Sequence, residues 1–203
     1  LALAGRRSVL WSKTRPSIEG QEMTSTPDYS DAIGRTERHI QTISADRAAG
    51  LAATLDLDHA PSDGDPLPPG WHWLYFNPFV KRRNIGPDGH PKRGGFLPAV
   101  TLPRRMWAGG EIEFHAPFAP GDLVTRETTI DDVTFKEGRS GKLGFVTQRH
   151  VYSVGGTARL TERQDIVYRE AASTPKPSQG QKAPEGREHR SITPSRALLF
   201  RYS

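Results

Sequence analysis

Three features predict an α+β fold for this chain: one helical stripe of apolar residues near residue 50, a switch to period-two alternation from Glu111, and turn chemistry that joins the later strands end to end. Strands linked by hairpins form an antiparallel meander, and a lone helix must bury its stripe against it.

The elements follow in order. Arg35 to Ile43 alternates and ends in Ile40 and Ile43, which predicts a first strand. Ser44 is a good N-cap, and Ala48, Leu51, Ala52 and Leu55 then fall at i, i+3, i+4 and i+7. Asp46 suits the helix dipole, whereas Gly50 costs about 1 kcal/mol relative to Ala, so the helix depends on packing. From Glu111 to His115, Ile112 and Phe114 face one way, and Pro117 with Pro120-Gly121 closes that strand. Further strands are predicted from Leu123 to Phe135, Leu143 to Val154 and Ala158 to Tyr168. Glu137 to Gly141 reads as a longer hairpin loop, and Gly155-Gly156 as a two-residue turn needing positive φ.

Composition narrows function. The net charge of +5 lies in the ends: residues 23–170 hold 18 Lys/Arg against 19 Asp/Glu. Basic tails around a neutral core are poor evidence for a nucleic-acid face, so no nucleic acid is expected. No run approaches the roughly 18 apolar residues of a membrane span, so no membrane is expected either. The absence of cysteine closes disulfide, thiolate-zinc and thiol-nucleophile chemistry. Residues 171–191 are rich in Pro, Gly, Ser and charge and read as a linker, after which ITPSRALLFRYS turns apolar again. Residues 1–22 are basic and rich in Ser; they read as sequence upstream of a start at Met23, or as part of a transit peptide.

The search for catalytic patterns is mostly negative. HExxH, GxSxG and paired metal-ligand spacings are absent. Lys92-Arg93-Gly94-Gly95 has neither P-loop nor dinucleotide-fingerprint spacing. His72, His115 and His150 read as packed or hydrogen-bonded structural histidines, Asp122 as the support of a turn, and Asp131-Asp132 as a solvated strand end. Trp71, Trp73, Tyr75, Phe76, Phe79, Phe96 and Trp107 crowd the middle of the chain beside prolines. They either plug the sheet or line a site.

One resemblance covers about half the chain. WHWLYFNPFV at 71–80, GPDGHPKRGGFLPAVTLPRRMWAGGEIEFHAPFAPGD at 86–122 and TERQDIVYRE at 161–170 resemble, in that order, the N-terminal half of MaoC-like double hot-dog dehydratases acting on acyl thioesters, related to mesaconyl-C4-CoA hydratase and type 2 3-hydroxyacyl-thioester dehydratases. The resemblance implies a hot-dog domain over 23–170, a linker over 171–191 and the start of a second, cut-short hot dog at 192–203. It implies reversible hydration of a 2,3-enoyl thioester, with the acid/base motif in the second half and no catalytic residue here.

Lys92, Arg93, Gly94, Gly95, Phe96, Arg104, Arg105 and Trp107 are then expected to bind substrate, the cations on coenzyme A phosphates and the aromatics along the acyl tunnel. Coenzyme A enters as part of the substrate, so no cofactor and no metal are expected. The partners implied are an acyl-CoA or acyl-carrier thioester, the C-terminal hot dog and a possible second copy. The location implied is the cytoplasm, or the mitochondrial matrix if residues 1–22 are a transit peptide. Two other readings stay open on the same fold: a non-catalytic thioester-binding or assembly module, and a thioesterase.

Overall fold

The computed structural model describes residues 28–138, 141–171, 184–186, 188 and 191–202. Five antiparallel strands make one sheet: β1 (Thr36–Thr42), β2 (Arg104–Phe114), β3 (Leu123–Gly138), β4 (Gly141–Val154) and β5 (Thr157–Arg169), in the order β1-β3-β4-β5-β2. The meander β3-β4-β5 is therefore the sheet's centre, as its turn chemistry predicts. Helix α1 (Ala45–Thr54) follows β1, and a short helix α2 (Arg196–Tyr202) lies near the end of the chain.

Helix α1 packs through its small residues. Ala48 and Ala52 are buried, whereas Leu51 is half-buried and Leu55, just past the helix, is exposed. The predicted stripe is thus narrower than its spacing suggests. Ser44 occupies the N-cap position without a side-chain cap, and its carbonyl instead accepts from the Tyr75 hydroxyl at 2.7 Å. The helix stops at Asp56, which turns left-handed (φ 57°) while Leu57 N–H reaches back to the Ala52 carbonyl at 3.0 Å.

Two boundaries correct the sequence reading. Strand β2 starts at Arg104 rather than Glu111, pairing with β5 as far as Arg169 across a bulge between Trp107 and Gly109. Gly109-Gly110 hides the period, but a Cβ on Gly110 would sit 2.6 Å from the Arg163 carbonyl oxygen, so glycine allows the strands to close there. The connection expected to be a longer loop is short, since Gly138 pairs with Gly141. A further bulge falls between Ile130 and Asp132. Both Asp131 and Asp132 are exposed, and Asp131 accepts from Arg149 Nε at 2.9 Å. Gly155 and Gly156 have φ of 56° and 84°, the pair of positive values a primed hairpin requires. Asp122 supports its turn by accepting from Ala119 N–H at 2.9 Å.

The inner face of the sheet carries two apolar clusters. One gathers Ile43, Ala48, Leu67, Tyr75, Phe76, Phe118, Val124, Tyr152 and Leu160, and the other Ala32, Val100, Ile130, Val146 and Tyr168. Strand register places polar residues between them. Thr128, His150 and Glu162 stand side by side in one row, Gln148 and Gln164 in the next. Thr128, His150, Glu162 and Gln148 are all buried, so a polar belt crosses the core.

Candidate functional site

Over this belt lies a cleft of about 1040 Å³, at the upper end of the size that holds a small-molecule ligand. Its floor includes Gln148, Gln164, Ile166 and Arg126 from the sheet. One wall is the Phe76–Val80 stretch, the other the His90–Leu97 segment, and β1 and β2 close the sides. Phe76 sets the first wall. Its backbone is left-handed (φ 60°), a strained state for an aromatic residue, and it is held from two sides. Its N–H donates to Gln41 Oε1 at 2.7 Å, and its carbonyl accepts from Arg126 Nη1 at 3.3 Å, with the guanidinium 5.3 Å from the Phe76 ring centre.

Of the residues expected to bind substrate, Lys92, Arg93, Gly95, Phe96, Arg105 and Trp107 line this cleft, while Gly94 and Arg104 do not. Arg104 is exposed on the opposite face of β2 from Arg105, because adjacent strand residues point apart. Arg93 points inward: Nη1 donates to Val100 O at 2.8 Å and to Leu102 O, Nη2 to Pro103 O at 2.6 Å, and its guanidinium lies 5.2 Å from the Tyr168 ring centre. Arg105 pairs with Asp88 at 3.1 Å and so ties the hairpin closed by the Ile85 and Pro91 bridge to β2. Arg35 donates to the carbonyls of Gly95 and Phe96 at 3.1 and 2.9 Å and fixes the wall that follows Gly94, whose φ is 88°. Lys92 and Trp107 are exposed at the rim, and Lys92 has no ion-pair partner among the described residues. The middle aromatics divide likewise: Tyr75 and Phe76 are core, Trp73, Phe79 and Trp107 are not.

A buried network centred on Glu162 went unread in the sequence. Its Oε1 accepts from Gln164 Nε2 at 2.7 Å and Trp73 Nε1 at 3.0 Å. Its Oε2 lies 3.4 Å from both the Tyr152 hydroxyl and His72 Nε2. Burial alone would raise the Glu162 carboxyl, but His72, Gln164 and Trp73 around it outweigh that and hold it below its ordinary value. Burial and the nearby carboxylate push the Tyr152 hydroxyl well up, and burial lowers the His150 imidazole, whose Nδ1 lies 2.8 Å from Thr128 Oγ1. His72 and Glu162 do not line the large cleft. The histidines keep their structural character, and His115 Nε2 meets Thr161 Oγ1 at 3.0 Å. Glu162 was not legible because a lone glutamate in an alternating strand reads as solvent-facing; only the partner strands' register shows it to be inside. Among the described residues there is no metal-binding cluster and no helix long and apolar enough to cross a membrane.

Comparison with known proteins gives this geometry a family. Mesaconyl-C(4)-CoA hydratase of Chloroflexus aurantiacus is 42% identical over 182 residues, which cover 88% of this chain and 65% of that protein, so the chain spans less than two-thirds of that relative's length. Among solved structures, the ChsH1-ChsH2 complex of Mycobacterium tuberculosis matches over 68% of this chain and 86% of that one, with a TM-score of 0.53 at 15% identity, a likeness of fold alone. A MaoC-like dehydratase from Rhodospirillum rubrum matches over 71% of this chain and 97% of that one at 19% identity and a TM-score of 0.44. The sheet over α1 is a hot-dog fold. Residues 70–203 match the family described as hydroxyacyl-thioester dehydratase type 2, and the chain belongs to that family.

Proposed function

We propose that this chain is the thioester-holding part of an acyl-thioester hydratase/dehydratase, acting on a 2,3-enoyl thioester of the mesaconyl-CoA kind, with the acid/base pair supplied by a second hot-dog unit. Family membership and the 42% identity to a mesaconyl-C(4)-CoA hydratase support the reaction class. The observation that carries the division of labour is the cleft itself. It has a rim cation in Lys92 and an aromatic wall, while the carboxylate-imidazole pair of Glu162 and His72 is buried outside it. Hydration needs a base to activate water and an acid to protonate the α-carbon, both within reach of substrate. A buried pair that substrate does not touch holds structure instead.

A second reading rests on Glu37 and His39, which line the cleft at the β1 edge with Oε2 and Nε2 3.5 Å apart. Both are partly exposed, and together they could serve as base and orienter. An assay of enoyl-thioester hydration on this chain, and on the same chain extended by a second hot dog, separates the readings. The proposal expects turnover only from the extended protein. Turnover by the chain alone that Glu37→Gln abolishes would establish the second reading in its place.

A further inference from the structure

We infer that the groove lined by Pro66–Gly70 and Phe114–Phe118 is a second ligand site, which takes a small neutral aromatic molecule bearing one hydroxyl and anchors it on His72. The site is separate from the cleft and does not rest on the reading of the cleft as a thioester site.

The groove encloses about 360 Å³, near the lower end of the size that holds a small-molecule ligand. It shares no lining residue with the cleft. Its two walls are tied together, since Leu67 N–H donates to the Phe118 carbonyl at 2.7 Å, so the space is preformed. Prolines, Phe114 and Leu160 make it mostly apolar. One buried polar side chain interrupts that surface: His72, which is 2% exposed and lines the groove.

Glu162 orients this imidazole. Nε2 is sealed from solvent and lies 3.4 Å from Glu162 Oε2. An ionised carboxylate only accepts, so the single proton of a neutral ring belongs on Nε2 and Nδ1 is left as an acceptor. Nδ1 makes no hydrogen bond with any described residue and, unlike Nε2, is not sealed from solvent. A hydroxyl entering the groove completes that acceptor. A carboxylate finds no such partner. Among the described residues no Lys or Arg lines the groove, and the charge behind His72 is that of Glu162. His115, the other ionisable residue there, is already engaged by Thr161 at 3.0 Å and Glu113 at 3.8 Å. Phe114 meets His72 edge-on, with 6.3 Å between ring centres, and the same packing suits an aromatic guest.

Phenol and toluene test this, being alike in ring and size and differing in the hydroxyl. Calorimetric titration of the full chain at about pH 8, above the ordinary imidazole range, should show saturable phenol binding roughly ten-fold tighter than toluene. Benzoate should bind more weakly than phenol. In nitrogen NMR of histidine-labelled protein, phenol should move one unprotonated ring-nitrogen signal that is missing from His72→Phe, and toluene should leave it in place. Ala116→Trp, which fills the groove and keeps the His72 and Glu162 pair, should abolish binding of both ligands. The wild-type comparison stands even where a variant fails to fold. Equal affinity for phenol and toluene would overturn the site, as would benzoate binding at least as tightly as phenol, phenol binding that persists in folded Ala116→Trp, or a phenol titration without saturation.

Discussion

Charge at the level of single residues is mostly turned inward around the cleft. Arg93 satisfies three main-chain carbonyls that no strand ladder reaches, so it braces the wall and leaves little for a phosphate. Replacing it by Ala should cost about 2–4 kcal/mol, from lost charge-assisted bonds and carbonyls left unpaired. Lys92→Ala should stay within about 0.5 kcal/mol, as expected of an exposed residue without partners. Denaturant titration of the two variants checks the contrast. The buried titrating groups set the response to acid. His150 has its affinity for protons lowered from an ordinary value near 6.5, so below that pH the unfolded chain binds a proton that the folded chain refuses. Glu162, held below its ordinary value, contributes stability that is present above the unfolded pKa and is lost as pH falls through the folded one. Both signs agree: the melting temperature should fall on acidification below about 6.5. His150→Gln should flatten the first part of that fall; a curve unchanged in slope between pH 6.5 and 5 would remove His150 from the account.

The elements show where sequence reasoning succeeds and where it stops. Strands β3, β4 and β5 were legible nearly to their ends because their inner faces alternate and their turns carry residues for which the backbone has few substitutes. Gly155-Gly156 is the clearest case. Changing both to Val should destabilise by more than about 1 kcal/mol, since both positions hold positive φ, and an unchanged denaturation midpoint would contradict the turn assignment. The N-terminal half of β2 was not legible. Arg104 to Gly110 contains two glycines and a bulge, so its pairing with β5 leaves no periodic trace. The same blindness joined Arg104 and Arg105 into one binding pair, although a strand sends them to opposite faces. The expected linker lies mostly outside the described residues. The α2 helix beyond it lines a small groove against the end of α1, with Leu55 and Leu57 facing Ile192 and Leu198.

Across the whole molecule, the cleft exists because two loop segments with few regular hydrogen bonds are pinned onto the sheet by single residues: Gln41 and Arg126 at Phe76, Arg35 at Gly95 and Phe96, Arg93 and Arg105 beyond them. Six of the residues expected to bind substrate line the cleft, because basic, glycine and aromatic types cluster in that stretch. The polar floor was not legible, because Arg126, Gln148 and Gln164 lie in three separate strands and come onto one face only through the sheet's register. In the proposed function an acyl thioester sits between these segments and over that floor. Hydrogen-deuterium exchange of the chain with and without succinyl-CoA tests it most directly. Ligand-dependent protection is expected at residues 76–80, 90–97 and 105–107. Protection confined to the separate groove lined by Pro66–Gly70 and Phe114–Phe118, or none at saturating ligand, would contradict it.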